Sequence, residues 1–189
     1  MITATPRPAP LLPALPGRTP TVRSAREEDA AALVALSAPF VRSGALRKRP
    51  ASLYAAQAAD FLVADAPGGP LEGCVGLRVH PAEPVYPAES GHPAESGHPA
   101  EPGRGPVGVL YNFCVAGHRQ GRGVGGGLLR AVLAVAHAQS LDALFTATTG
   151  GGDLFLRYGF MPTTARLAPA SWADSLDPRR GARILTFAL

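Results

Sequence analysis

Two cysteines in 189 residues are too few for a disulfide framework, and Cys74 and Cys114 each lie inside an apolar run with no metal-ligand spacing around them. Such usage implies buried core thiols in a reducing cytosol. No apolar stretch nears the ~20 residues that cross a bilayer, which excludes a membrane-spanning protein. Near the N-terminus, Ala9-Pro10-Leu11-Leu12-Pro13-Ala14-Leu15-Pro16 is interrupted by proline too often to act as a signal-peptide core. The longest basic run is Arg47-Lys48-Arg49, and no aromatic residues interleave it, so nucleic acid is not an expected partner. The G-x-x-x-x-G-K-[ST] pattern of a P-loop is absent. These exclusions leave a soluble cytoplasmic protein.

Glycine and proline, by contrast, are abundant, at 22 and 20 residues. The prolines cluster, six in residues 1–20 and seven in 81–106. Residues 1–20 read as a disordered, proline-rich arm. Within 81–106 a six-residue unit repeats, as in Pro87-Ala88-Glu89-Ser90-Gly91-His92 and Pro93-Ala94-Glu95-Ser96-Gly97-His98. Units with proline and no large apolar residue cannot build a core, so this tract is expected to be a solvated loop inserted between two strands. Its His92 and His98 have no third ligand, and no metal is expected. The remaining body, about 143 residues, suits a single domain spanning 21–189. Fifteen basic and ten acidic side chains give that body a net charge of +5, which favours anionic ligands.

One stretch organises the rest. The apolar run Val107–Val115 reads as a central strand buried on both faces, and residues 128–139 carry a helical pattern. Between them lie five glycines among the seven residues 121–127, with Arg119 and Arg122 close by. Strand, glycines, then helix is the layout of an anion cradle, in which backbone N–H groups and the positive end of a helix dipole face a phosphate. Gly121-Arg122-Gly123-Val124-Gly125-Gly126 fits the dinucleotide fingerprint G-x-G-x-x-G, with Asp142 as its acid. The element order argues against that reading. Such a loop follows the first strand of its domain, whereas here several elements precede it.

Those elements are a strand at 21–25, a helix opening at Arg26-Glu27-Glu28-Asp29 and stopped by Pro39, and a second short helix over 52–59. A cationic loop that includes Arg47, Lys48 and Arg49 joins the two helices. Strands at 61–64 and 73–79 form an antiparallel hairpin. After the glycines come a strand at 141–148, a short helix over 152–158 and a closing strand at 183–189.

Gln120-Gly121-Arg122-Gly123-Val124-Gly125 also meets the pattern Q/R-x-x-G-x-G/A. With the element order and the segment Arg157-Tyr158-Gly159-Phe160, it resembles the GNAT superfamily of acetyl-CoA-dependent N-acetyltransferases. Four further segments, taken in order, resemble the acetyltransferase domain of the N-acetylglutamate synthase family: 43–50, Gly73-Cys74-Val75-Gly76-Leu77, Phe145-Thr146-Ala147-Thr148-Thr149, and 180–185. The resemblance implies an α/β fold with a mixed, mostly antiparallel central sheet, a splayed strand pair and flanking helices. It implies acetyl-CoA as the acyl donor, with the pyrophosphate on Gln120, Gly121, Arg122, Gly123, Val124 and Gly125, and the pantetheine arm along Phe113, Cys114 and Val115. It places the carboxylates of an amino-acid acceptor, glutamate first, near Arg47, Lys48 or Arg49 together with Arg180, and Cys74 beside them. Guanidinium forks suit an α-amino dicarboxylate.

Departures from the pattern fall at chemically important places. Ala182 stands where the terminal motif has serine, Val109 where the central strand carries a glutamate, and Phe155 where many of these enzymes use a tyrosine acid. The nearest polar candidates for catalysis are Tyr111, Asn112 and Tyr158. Positioning, with strand amides polarising the thioester carbonyl, is the expected source of rate. Another small amine or an amino-acid-like toxin as acceptor, or a non-catalytic acyl-CoA-binding module, stays open. So does the oligomeric state, a homodimer included.

Overall fold

The computed structural model describes residues 20–65, 69–82, 105–150 and 152–189. The arm over 1–19 and the hexapeptide repeats lie outside the described residues. Twelve elements follow in chain order: β1 (Thr21–Ser24), α1 (Ala30–Arg42), α2 (Ala51–Ala56), β2 (Phe61–Asp65), β3 (Leu71–His80), β4 (Val107–Val115), α3 (Val124–Ala138), β5 (Ala143–Thr148), α4 (Asp153–Arg157), β6 (Met161–Pro162), α5 (Ala170–Asp174) and β7 (Arg183–Ala188). The strands form one seven-stranded sheet in the order β1-β2-β3-β4-β5-β7-β6. Every pairing is antiparallel except β4 with β5. This is the mixed, mostly antiparallel α/β sheet that the resemblance implies.

Alternation along the strands divides the core into two layers. On one face α3 presents Val124, Leu128, Val132 and Ala136, spaced four apart, to Val75, Leu77, Leu110, Leu144 and Leu185. On the other, Leu33 and Leu36 of α1 and Tyr54 of α2 cover Phe61, Val63, Leu71, Cys74 and Cys114. Leu33, Leu128 and Leu144 are fully buried, and truncating any of them to alanine would cost about 2–5 kcal/mol.

Two expected boundaries move. Pro39 does not stop α1, which continues to Arg42. A proline there removes one ladder bond near the end of the helix. The turn after it is held by Ser43 N donating to Pro39 O, Leu46 N to Phe40 O, and the positive-φ Gly44. At the other shift, α3 begins at Val124 rather than residue 128 and takes in Gly125, Gly126 and Gly127. Packing overrides the poor helix propensity of those glycines: a Cβ on Gly126 would stand 2.5 Å from the Tyr158 hydroxyl, and one on Gly125 3.0 Å from Leu154.

The pairing that matters most for the site is irregular. Gly76 faces Tyr111 and Cys74 faces Cys114, so one residue of β3, Val75, is matched by two of β4, Asn112 and Phe113. The extra residue is taken up at Asn112, whose φ is +51°. That is a β-bulge, which bends a strand and increases its twist. On its other edge β4 pairs with β5 only from Val107 to Leu110 and then diverges. The splay opens at the bulge.

Candidate functional site

The glycine loop leaves β4 at Val115, beyond the point where pairing with β5 has ended. Gln120 donates from Nε2 to the Val115 carbonyl at 3.0 Å, stapling the loop to the strand end. Gly121 and Gly123 have φ of +72° and +86°, and a Cβ at either would meet nothing within 4 Å. Their glycine is thus required by the backbone angle rather than by crowding. The first bond of the α3 ladder runs from Gly127 N to Gly123 O at 2.9 Å. The amides of Val124, Gly125 and Gly126 precede it and project at the positive end of the helix.

A cavity of about 590 Å³ lies over these amides, lined by Cys114, Val115, Gln120, Gly121, Gly123, Gly125 and Tyr158 among others. A second, of about 850 Å³, runs along β4 on the other side of the splay and is lined by Arg49, Arg78, Tyr111, Thr148, Trp172 and Arg180 among others. Phe40 and Phe113 line both. The two spaces thus meet at Phe113, where β4 has left β5.

Of the two arginines beside the glycines, only Arg122 is exposed to solvent. Arg119 turns back to the sheet, where its Nη2 lies 3.0 Å from Oε2 of the buried Glu72. The geometry of that ion pair falls short of a hydrogen bond. Sequence spacing could not show this pairing, because Glu72 sits one strand away. Asp142, the acid of the dinucleotide pattern, accepts the Gly105 amide beside the start of β5. That is the Val107 end of β4, the opposite end of the strand from the glycine loop, and it cannot serve a ligand held there.

The three candidates for catalysis are placed very differently. Asn112 is buried, donating from Nδ2 to Ser37 Oγ at 3.3 Å and contacting Cys74 Sγ at 3.7 Å, while its carbonyl accepts from the Cys74 thiol. Ser37 also bonds Tyr54 Oη at 2.9 Å, so Asn112 closes a buried polar network. Tyr111 donates its hydroxyl to Asp60 Oδ2 at 3.0 Å. Burial first, then the Asp60 charge, holds its pKa above the ordinary value, and the hydroxyl stays protonated. Tyr158 accepts from Arg130 Nη1 at 2.7 Å and lies against Gly126. It therefore stands at the glycine cradle.

The expected acceptor residues also separate. Arg47 donates to Ser175 O, and Arg180 to Gly44 O and Ala45 O, so these two clasp the α1–α2 loop to the chain near its C-terminal end. Arg49 lies over the Tyr111 ring, 4.8 Å from its centroid. Lys48 is exposed. Cys74 is fully buried with its Sγ 3.5 Å from that of Cys114, and that contact together with burial holds its thiol well above the usual range. Sequence reasoning missed Arg78 and Asp60. Arg78 sits between Leu77 and Val79 in β3 and Asp60 just before β2, and only the fold joins them, Nη2 to Oδ2 at 3.5 Å. Val109 is buried and Phe155 packs between Phe113 and Phe160. Among the described residues, no three His, Cys, Asp or Glu side chains converge as a metal site, and no helix is long and apolar enough to cross a membrane.

No protein-family model matches the sequence, and no curated protein matches it by sequence. Solved structures match the fold. N-acetylglutamate synthase from Neisseria gonorrhoeae, complexed with coenzyme A and N-acetyl-glutamate, aligns at a TM-score of 0.71 and 22% identity over 90% of this chain. The chain spans only 35% of that protein's length. Rv2747 from Mycobacterium tuberculosis, in complex with CoA, aligns at 0.66 and 20% identity, covering 90% of this chain and 99% of that one. A GNAT family acetyltransferase from Brucella melitensis in complex with acetyl-CoA gives 0.55 and 20%, covering 90% and 88%. At such identities the likeness establishes the fold, which is that of the GNAT acetyltransferases.

Proposed function

We propose that the chain is an acetyl-CoA-dependent N-acetyltransferase whose acceptor is the α-amine of an acidic amino acid, with L-glutamate the first candidate. The observation that carries this reading is the meeting of two cavities at Phe113, one roofed by helix-terminal amides and the other lined by arginines. The first suits a pyrophosphate with a thioester arm lying along the splayed strand. The second suits a carboxylate-bearing amine. That solved proteins of this fold hold CoA, and one of them N-acetyl-glutamate, supports the same assignment.

In this reading the ammonium first gives a proton to water, the neutral amine nitrogen attacks the thioester carbonyl carbon, the carbon–sulfur bond breaks, and the departing thiolate takes up the second proton that the nitrogen sheds. Val109 offers no carboxylate to relay it, and Phe155 no hydroxyl. Approach in the correct geometry and polarisation of the carbonyl by unpaired β4 amides then supply the rate. The residues at Val109 and Phe155 also motivate a second reading, a module that binds acyl-CoA without turnover.

One experiment separates the two. Thiol release from acetyl-CoA is followed while a panel of amines is added, with CoA binding measured in parallel by thermal shift. Saturation at a hundredfold excess over Kd adds about 2.7 kcal/mol and should raise Tm by roughly 5–10 °C. Glutamate-dependent release supports the proposal. Turnover of a different amine only replaces the acceptor, and binding without any turnover leaves the module.

A further inference from the structure

The arginine-lined cavity holds more positive charge than its own walls neutralise. Arg47, Arg49, Arg78 and Arg180 line it, and Asp177 is the only carboxylate among the lining residues. Asp177 is occupied in accepting the Arg179 amide. Arg47 and Arg180 are committed to backbone carbonyls. Arg49 and Arg78 are held differently. Both guanidinium groups lie over the ring of Tyr111, 4.8 and 5.2 Å from its centroid. Their polar partners are long: Gln57 Oε1 is 3.4 Å from Arg49, and Asp60 Oδ2 is 3.5 Å from Arg78. The shorter bond to Asp60, at 3.0 Å, belongs to the Tyr111 hydroxyl. One carboxylate thus serves both Arg78 and the Tyr111 hydroxyl, and the partner of Arg49 is a neutral amide. Stacking on an aromatic face fixes a guanidinium while leaving its in-plane N–H edge free for an anion.

The platform itself is rigid. Tyr111 stands opposite Gly76, where a Cβ would come within 2.5 Å of the ring, so the ring lies flat against bare backbone. Arg78, two residues from Gly76, shares its face and stands opposite Val109. Measured along β4, that is four residues from Phe113, or about 13 Å of strand. A guanidinium on this side chain reaches part of the way back, so its anion lies several bonds from an amine placed at the cavity junction.

We propose that Arg78, stacked with Arg49 on Tyr111 and steadied by Asp60, reads the distal carboxylate of the acceptor, the one far from the reacting amine. Tyr111 is then a platform and not a proton donor. This rests on the acetyltransferase reading above and assigns the residue that selects among acidic amines. A side-chain carboxylate is demanded, and its amide is rejected because it brings no negative charge to offset the second of the two stacked cations.

The test compares L-glutamate with L-glutamine as acceptors for the wild type, Arg78→Gln and Arg78→Lys, with isothermal titration of glutarate into the CoA-loaded proteins. Arg78 is 43% exposed at its side chain, so neither substitution opens the core. The wild type should prefer glutamate. Arg78→Gln should lower that preference roughly 10–100-fold, chiefly through the KM for glutamate, and Arg78→Lys should fall between. Glutarate affinity should drop in parallel while CoA affinity holds. An unchanged preference in Arg78→Gln overturns the proposal. Should the wild type acetylate neither amino acid, the acceptor reading fails by itself: glutarate binding that weakens in Arg78→Gln still supports the carboxylate site, and a wild type that binds no glutarate removes it.

Discussion

Gly123 isolates a single physical requirement. Its φ of +86° is one that side chains of L-residues rarely adopt, yet the space around it is open. A methyl group added there meets no neighbour, so its whole effect is backbone strain of about 1–2 kcal/mol. Gly123→Ala should lower Tm by roughly 2–8 °C and weaken CoA binding about tenfold or more by calorimetry, since the amides it presents rotate with it. Gly117 is the control, with equal space and no positive φ. Should Gly117→Ala and Gly123→Ala weaken CoA alike, the backbone angle is not what the cradle needs. Asn112 shows the same conformation borne by a side chain that repays it locally. Its positive φ at the bulge is tolerated because asparagine enters that region more easily than most residues, and its amide satisfies the Ser37 and Cys74 groups buried beside it.

The junction of β1 with α1 depends on a carboxylate pair around one guanidinium. Arg23 reaches Asp29 at 2.7 and 3.0 Å and Asp65 at 3.0 Å, while Asp29 also accepts the Arg26 amide at 2.8 Å. The bonds from Arg23 hold the Asp29 carboxyl below its ordinary 3.8, against the opposing pull of burial. A depressed folded pKa adds stability above the unfolded value, and this is lost as pH falls through about 4 towards the folded one. The urea midpoint of the wild type should therefore fall between pH 5 and pH 2. Asp29→Asn should be less stable at pH 7 by roughly 2 kcal/mol and show a shallower acid slope. Equal slopes would assign the acid lability elsewhere.

Elements of this kind were only partly legible in the sequence. The apolar run of β4 and the glycines after it announced themselves by composition, because burial on both faces and positive φ each demand particular residues. The acidic cluster before α1 was visible too, as helix-opening residues, but its partner Arg23 was not. Pro39 misled because propensity is local whereas the loop that stabilises the turn after it is not. The bulge at Asn112 exists only as a mismatch between two strands, and no single strand records it. Arg47 and Arg180 could be picked out as cations, yet their carbonyl partners lie 128 to 136 residues away. Arg78 stood unremarked among apolar neighbours, its significance residing in a ring on the next strand.

For the chain as a whole, residues 81–106 join strands that are already in register at His80 and Val107. The 26-residue connection can be replaced by a turn of about five residues without altering any pairing. Loop-closure entropy alone then favours the shortened chain by about 1.5 kcal/mol, or roughly 3–6 °C in Tm, and thiol release from acetyl-CoA should be unaffected. A fall in Tm would mean that the inserted tract contributes to the fold.

The two cavities also differ in when they can exist. Every residue lining the first has been made once the ribosome passes residue 158, whereas the second draws on residues 165 to 184. Its clasp needs the carbonyl of Ser175 and the side chain of Arg180. At 5–20 residues per second the interval between the two is a few seconds. The second cavity is completed after the first, and a chain cut short by a premature stop just beyond residue 160 would carry the complete wall of the first cavity while lacking the 165–184 side of the second.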